Sequence, residues 1–161
     1  MEILARDLMI REFDTVRPDS PLVEAVRLMQ DTRRGPGDRR IFGLMVVDER
    51  GDLAGTISLF DVLYHLDALV HLDRAGEESG APPPSADERF DRICGLASLR
   101  RVEDVMTRNV VRVDEQTPIT DIIEIMVKTH LRRLPVCRGA TIVGVIYISD
   151  IFYEIYKNLL D

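Results

Sequence analysis

An internal repeat constrains this chain more than any other feature of its sequence. Three segments recur in the same order: residues 7–9 as 104–106, 20–21 as 117–118, and 55–61 as 144–150. The offset falls from 97 residues at the first segment to 89 at the last, so the first copy carries about eight extra residues, mostly within 32–40. A repeat of this kind indicates two copies of one structural unit.

Each copy has the residue pattern of a β-α-β-β-α unit. Short β-prone runs at 15–16 and 110–113 come first. Ser20-Pro21 and Thr117-Pro118 then predict helix starts, with the hydroxyl residue as N-cap and proline in the first turn. Two strands joined by a turn follow, and a second amphipathic helix ends each copy. A three-stranded sheet with helices on one face cannot bury both ends alone, so we expect the copies to pack together.

The fold class predicted from this pattern is α/β in the mixed α+β sense, with two repeats related by pseudo-two-fold symmetry. We assign residues 1–63 to the first repeat and 101–161 to the second. Residues 64–100 are not shared by the repeats. They continue a helix, pass through a loop rich in Pro, Gly and acidic residues, and enter a further helix that Ser85 or Asp87 could cap.

Charge and motif content narrow the function classes. The formal net charge is −7 over 161 residues, the opposite sign from a nucleic-acid or anionic-membrane surface. The two cysteines form no CxxC pair, and the sequence has no GxSxG, GxxxxGK[ST] or HExxH motif. We therefore predict a non-enzyme without a metal site. The charged N-terminus and the absence of a long apolar run predict a cytoplasmic protein.

Several repeated motifs, taken in order, resemble those of a tandem pair of cystathionine-β-synthase (CBS) domains, often called a Bateman module. In the second copy they are Val105-Met106-Thr107, Thr117-Pro118, Leu131-Arg132-Arg133-Leu134-Pro135-Val136 and residues 144–150. In the first copy they are Asp7-Leu8-Met9, Ser20-Pro21-Leu22 and residues 55–61. The resemblance covers everything except roughly residues 64–100.

The resemblance implies a regulatory, ligand-sensing module rather than a catalyst. Such pairs commonly bind an adenine nucleotide (AMP, ADP or ATP) between the repeats and signal to an effector by a conformational shift. It implies no catalytic cofactor, with the nucleotide as regulatory ligand. It also implies a homodimer formed through the amphipathic helices, and an effector protein that the sequence does not name. S-adenosylmethionine as ligand, and a dimerising adaptor whose clefts hold no ligand, stay open as alternatives.

The resemblance also implies which residues form two ligand clefts. In the first, Ser58 and Asp61 hold a ribose while the base and phosphate side is lined by Asn109, Val110, Arg132, Arg133, Leu134 and Pro135. In the second, Asp150 is accompanied by Tyr147, Thr15, Val16 and the 43–45 segment with Met45. Tyr147 stands where Ser or Thr is usual, and Met45 where Pro is usual. We expect the Asp61 cleft to be the principal one.

Each of these residues also has a purely structural interpretation. Ser58 and Asp61 form the pattern of an ordinary helix N-cap. The arginine pairs at 33–34 and 39–40 flank Gly35-Pro36-Gly37 and predict a solvated loop. The repeated methionines Met9, Met29, Met106 and Met126 predict core or interface positions, and Cys94 and Cys137 predict buried thiols.

Overall fold

The computed structural model describes residues 1–34, 39–40 and 42–160. The helices are α1 Ala5–Leu8, α2 Leu22–Asp31, α3 Leu59–Ala75, α4 Ala86–Ala97, α5 Ile119–Thr129 and α6 Ile148–Leu160. The strands are β1 Thr15–Val16, β2 Arg33–Arg34, β3 Arg39–Arg40, β4 Gly43–Val47, β5 Leu53–Ser58, β6 Val113–Asp114, β7 Arg133–Arg138 and β8 Thr141–Tyr147. Within these residues, a 3₁₀ turn spans Val102–Asp104.

Two three-stranded sheets form the framework, one from each copy of the repeat. Their strand orders are β1-β4-β5 and β6-β7-β8, so the strand that begins each copy lies at an edge. In the second sheet β6 runs parallel to β7, and β7 is antiparallel to β8 with a register shift between Val136 and Cys137. The β-α-β-β-α order is thus present twice, which confirms the mixed α+β fold class.

The chain forms two compact units that are not contiguous in sequence. The Asp61 unit comprises Val16–Val46 and Ala54–Arg108, and the Asp150 unit comprises Met1–Thr15, Val47–Leu53 and Asn109–Asp161. The segment before the first copy, Met1–Thr15, therefore belongs to the Asp150 unit. The segment before the second copy, up to Arg108, belongs to the Asp61 unit. In the Asp61 unit Val102 and Met106 are buried beside α2, while in the Asp150 unit α1 and Met9 are buried beside α5.

The helix starts differ from the sequence prediction. Helices α2 and α5 begin after the prolines, and neither Ser20 nor Thr117 caps them. The Ser20 hydroxyl accepts a hydrogen bond from the backbone N–H of Arg17, and the Thr117 hydroxyl accepts one from Asp114. The first helical N–H of each helix donates instead to a carbonyl of the segment packed beside it: Leu22 to Arg100 and Ile119 to Ile3, each at 2.9 Å.

The extra residues of the first copy, predicted to form a loop, include two short strands. Strands β2 and β3 pair antiparallel, with Arg33 opposite Arg40 and Arg34 opposite Arg39. Strands of two residues have no detectable alternation, so the sequence pattern does not reveal them. The intervening Gly35-Pro36-Gly37 lies outside the described residues.

The segment between the copies continues α3 to Ala75 and adds α4, as predicted. Ser85 caps α4, since its hydroxyl accepts a hydrogen bond from the Glu88 N–H at 3.2 Å and the Glu88 carboxylate accepts one from the Ser85 N–H. Ion pairs join the two helices, with Asp73 bound by Arg89 at 2.7 Å and by Arg92 at 2.8 Å. Helix α4 also buries Ile93 and Ala97 in the core of the Asp61 unit.

The repeated methionines and one cysteine lie where the sequence predicts. Met9, Met29, Met106 and Met126 are all buried. Cys137 is buried, and burial raises the pKa of its thiol, while Arg112 opposes that shift. The prediction for Cys94 is only partly met, because that thiol lies on α4 at the margin of the core and is half-buried. Among the described residues, no helix combines the length and the apolar character needed to cross a bilayer.

Candidate functional site

The candidate site in the first copy is built at the junction of β5 and α3. Ser58 ends the strand and caps the helix, and Asp61 occupies the third helical position. The Asp61 Oδ2 accepts hydrogen bonds from the Ser58 backbone N–H at 2.7 Å and from the Ser58 hydroxyl at 3.0 Å. The arrangement places a half-buried carboxylate at a helix N-terminus, where the helix dipole stabilises negative charge.

Thr107 completes this site, although the sequence analysis assigned it no role. Its hydroxyl donates a hydrogen bond to the Asp61 Oδ1 at 2.8 Å. The backbone of Thr107 is fixed against β5, because Thr107 and Thr56 exchange backbone hydrogen bonds of 2.8 and 2.9 Å. Gly55 permits this approach, since a Cβ there would lie 2.5 Å from the Thr107 carbonyl oxygen. The Val105-Met106-Thr107 motif marks this segment in the sequence, but no local pattern places its hydroxyl beside Asp61.

The equivalent junction in the second copy joins β8 to α6. Tyr147 ends the strand, and its backbone N–H donates to the Asp150 Oδ2 at 2.8 Å. Burial raises the pKa of the Asp150 carboxyl above its usual value, and the hydrogen bond from Tyr147 opposes this shift. The phenol of Tyr147 replaces the short hydroxyl that caps α3, so the two junctions share their backbone geometry but differ in side-chain chemistry.

The arginines of the second copy lie at this same end of the β7–β8 pair. Arg133 is the cross-strand partner of Tyr147, and the Arg132 carbonyl accepts a hydrogen bond from the first residue of α6, Ile148, at 2.8 Å. Arg132 is exposed, whereas Leu134 and Pro135 are buried in the strand. Within the Asp150 unit, the structure thus brings Arg132 and Arg133 next to the N-terminus of α6.

The remaining residues of the predicted clefts are distributed over both units. The Asp61 unit contains buried Val16 and Met45 and half-buried Ser58 and Asp61. The other predicted cleft residues lie in the Asp150 unit. Thr15 and Asn109 are exposed there and Val110 is half-buried, and the unit also contains residues 132–135, Tyr147 and Asp150. The assignment of Asn109, Val110 and the arginine segment to the Asp61 cleft, and of Val16 and Met45 to the Asp150 cleft, stays a prediction.

Neither histidine of α3 belongs to a metal site in the described part of the chain, where no group of three or more His, Cys, Asp or Glu could hold an ion. His71 lies 3.6 Å from Asp67 on the exposed helix surface. His65 is half-buried, and its Nε2 has no hydrogen-bond partner. The chemistry of the described sites is therefore that of carboxylates, hydroxyls and guanidinium groups.

Comparison with known proteins identifies related chains. A family model, the CBS domain, matches residues 5–68 and 102–157. The chloroplastic CBS domain-containing protein CBSX1 of Arabidopsis thaliana is 28% identical over 144 residues, which cover 85% of this chain and 59% of that protein. The chain thus spans less than two thirds of CBSX1.

Two solved structures show the same fold. The crystal structure of CBSX2 from Arabidopsis thaliana matches with a TM-score of 0.73 and 18% identity, covering 100% of this chain and 99% of that one. A crystal structure of CBSX2 in complex with AMP matches with a TM-score of 0.68 and 20% identity, covering 96% of each chain.

Proposed function

Since this chain belongs to the CBS domain family and carries two copies of that domain, we propose that it binds an adenine nucleotide at Asp61 and signals its presence to a partner protein. CBS pairs are regulatory modules. The observation that carries the proposal is the pair of acidic helix N-termini, Ser58-Asp61 and Tyr147-Asp150, which stand at equivalent positions of the two copies.

The chemistry of the Asp61 junction suits a ribose. Each carboxylate oxygen can accept more than one hydrogen bond, so Asp61 retains acceptor capacity beyond its bonds to Ser58 and Thr107. A ribose hydroxyl can donate to the remaining acceptor site of Oδ1 in a charge-assisted bond. The crystal structure of CBSX2 with AMP supports the same ligand class. Arg132 and Arg133 carry planar donors of the kind that binds a phosphate group.

The mechanism we propose is a population shift. A nucleotide that binds one arrangement of the two repeats more tightly than another will favour that arrangement, by an amount equal to the difference in binding free energy. A partner protein that distinguishes the arrangements then responds to the nucleotide. In this scheme residues 1–63 and 101–161 are the two halves of one sensor, and the exposed surface of residues 64–100 is available to the partner.

The partner for assembly that we propose is a second copy of the chain. The apolar residues of α6 recur on one helix face, but only Ile151 of them is buried, while Ile148, Phe152, Ile155 and Leu159 are exposed. The equivalent residues Leu59 and Leu63 of α3 are exposed as well. Apolar stripes at equivalent positions of a duplicated unit favour self-association, because one symmetric contact covers them on both chains.

A thermal-unfolding panel tests the nucleotide proposal. AMP, ADP, ATP, GTP and S-adenosylmethionine are each added to the wild type, to Asp61→Asn and to Asp150→Asn. A ligand at 100 times its dissociation constant raises the unfolding free energy by about 2.7 kcal/mol. For a chain of this length the melting temperature rises by roughly 5–10 °C.

We expect an adenine nucleotide to give that rise in the wild type and in Asp150→Asn, and Asp61→Asn to abolish most of it. Asn retains the size of the side chain and removes its charge. A rise with S-adenosylmethionine alone would change the ligand class. No rise with any of the five compounds would contradict nucleotide sensing and favour the adaptor function.

A further inference from the structure

The two copies attach a neighbouring segment to their last strand in the same way. In the Asp61 unit, Thr107 and Thr56 exchange backbone hydrogen bonds of 2.8 and 2.9 Å. In the Asp150 unit, Ile10 and Val145 exchange backbone hydrogen bonds of 2.9 and 3.0 Å. Residues 107 and 10 are therefore structural equivalents, in agreement with their separation of 97 residues in the repeat.

Glycine residues make the same approach possible in both units. A Cβ on Gly55 would lie 2.5 Å from the Thr107 carbonyl oxygen, and a Cβ on Gly144 would lie 2.6 Å from the Met9 Sδ. Since real Cβ atoms do not come this close to other heavy atoms, both glycines are required by the neighbouring segment. The backbone around the two acidic helix N-termini therefore has the same hydrogen bonds and the same close approach in both units.

The side chains at the equivalent positions differ in one functional group. The Thr107 hydroxyl donates to the Asp61 Oδ1 at 2.8 Å, while the Oδ2 of the same carboxylate accepts from Ser58. Both oxygens are therefore held, and the plane of the carboxylate is fixed. Ile10 has no hydroxyl, so the equivalent bond to Asp150 cannot form.

The electrostatics of Asp150 agree with this difference. Burial raises the pKa of Asp150, and the hydrogen bond from the Tyr147 backbone N–H opposes the rise. A hydroxyl that donates to a carboxylate stabilises the charged form. The Asp150 carboxylate lacks such a donor at position 10.

We propose that Thr107 is the positioning residue of the Asp61 site, and that Ile10 leaves the second copy without one, so that each chain binds one nucleoside ligand tightly, at Asp61. The inference rests on the proposed function. A carboxylate whose plane is fixed before binding presents the remaining acceptor site of its Oδ1 to a ribose hydroxyl without loss of side-chain freedom. Because residue 107 is Thr and residue 10 is Ile, the two copies differ in their affinity for the nucleoside ligand.

Calorimetric titration with AMP tests the role of Thr107. The variants are Thr107→Val, which removes the hydroxyl at nearly constant volume, and Thr107→Ser, which keeps it. We expect one tight site per wild-type chain, an affinity within about twofold for Thr107→Ser, and a loss of about tenfold for Thr107→Val, as for one hydrogen bond to a charged group. Thermal unfolding without AMP checks that each variant is folded. Equal affinities for wild type and Thr107→Val, or equal losses in Val and Ser, would overturn the proposal.

A second measurement needs no ligand. In Ile10→Thr the new hydroxyl should donate to the Asp150 carboxylate, so the pKa of Asp150, followed by the carbon-13 shift of its carboxyl group, should fall relative to the wild type. Ile10→Val is the control, since it adds no donor. An unchanged Asp150 pKa in Ile10→Thr would contradict the positioning role. If the wild type binds no AMP while this pKa falls, the nucleotide proposal fails and the positioning of the carboxylate stands.

Discussion

Individual residues decide how the two halves of this chain differ. Asp61 and Asp150 follow the same strand and begin the same helix, yet Asp61 accepts bonds from two side-chain hydroxyls, of Ser58 and Thr107, whereas Asp150 is held by the Tyr147 backbone. The positions of both carboxylates could be predicted from the repeat. The bond from Thr107 could not, because it joins residues 46 positions apart and depends on the path of the backbone.

His65 makes the stability of the protein depend on pH. Burial lowers the pKa of its imidazole, the nearby Arg100 adds to this effect, and Asp104 opposes it. The unfolded chain therefore takes up the proton first as the pH falls. The contribution of the neutral His65 to the unfolding free energy is fully present above the ordinary His pKa of about 6.5. It is lost as the pH falls through that value toward the lower pKa of the folded state.

We expect the unfolding free energy of the wild type, measured with urea, to fall between pH 7.5 and pH 5.5 by more than that of His65→Gln. His71→Gln is the matched control, because His71 lies on the same helix and is exposed. A pH dependence that is the same in wild type and His65→Gln would show that burial of this imidazole has no energetic consequence.

Among the secondary-structure elements, the helical extension and its partner α4 are held by charge as well as by apolar packing. Asp73 is almost fully buried between Arg89 and Arg92, and Arg89 also contacts Glu77. The continuation of α3 and a cap for α4 at Ser85 or Asp87 could be predicted from local periodicity, and the structure selects Ser85. The ion pairs could not, because they depend on how α3 and α4 are aligned.

Removing Asp73 should loosen α4. We expect Asp73→Ala to lower the unfolding free energy by about 1–3 kcal/mol, because Arg92 loses this carboxylate and the largely buried Arg89 retains Glu77 but loses Asp73. Glu124→Ala removes an exposed i,i+4 pair with Lys128 and should cost no more than about 0.5 kcal/mol. Urea unfolding measures both changes, and amide exchange in α4 locates the first. Similar losses in the two variants would contradict a buried role for Asp73.

The approach of residue 107 to β5 predicts an asymmetry between two glycine substitutions. Gly55→Ala places a methyl group 2.5 Å from the Thr107 carbonyl oxygen, which is backbone and cannot turn away, so a loss of about 1–3 kcal/mol is expected. Gly95→Ala in α4 meets no atom within 4 Å and should stabilise that helix by about 0.5–1 kcal/mol. Chemical denaturation of both variants checks the signs, and a neutral Gly55→Ala would contradict the close approach.

At the scale of the whole molecule, the informative feature is the apolar stripe of α6, most of which is exposed. Periodicity predicts that α6 is amphipathic, and of its periodic residues only Ile151 enters the core of the Asp150 unit. The exposed members of the stripe include Phe152, which is 66% exposed. A second chain that covers this face would remove a large apolar surface from water.

We expect sedimentation to give a dimer for the wild type and Phe152→Asp to shift it toward monomer. Both chains of the symmetric dimer lose a buried phenylalanine contact of about 2–3 kcal/mol, which weakens the dimer by about 1,000-fold or more. Val127→Asp on α5 is the matched control, since Val127 is also 66% exposed and lies outside the stripe. A wild type that stays monomeric at all concentrations, or equal effects of the two variants, would argue against this face as the interface.

The sequence by itself determined the duplicated β-α-β-β-α order, the family, the buried methionines and the positions of both acidic helix starts. These follow from local patterns and from a repeat that the chain carries twice. Only the tertiary structure shows that residues 1–15 pack with the second copy and Val102–Asp104 with the first. The two segments are equivalent in the repeat, so the sequence does not indicate which core each one completes. The tertiary structure also decided that the Thr107 hydroxyl donates to Asp61 while Ile10 offers Asp150 no side-chain donor, since a hydroxyl acts only where the fold brings it to a carboxylate.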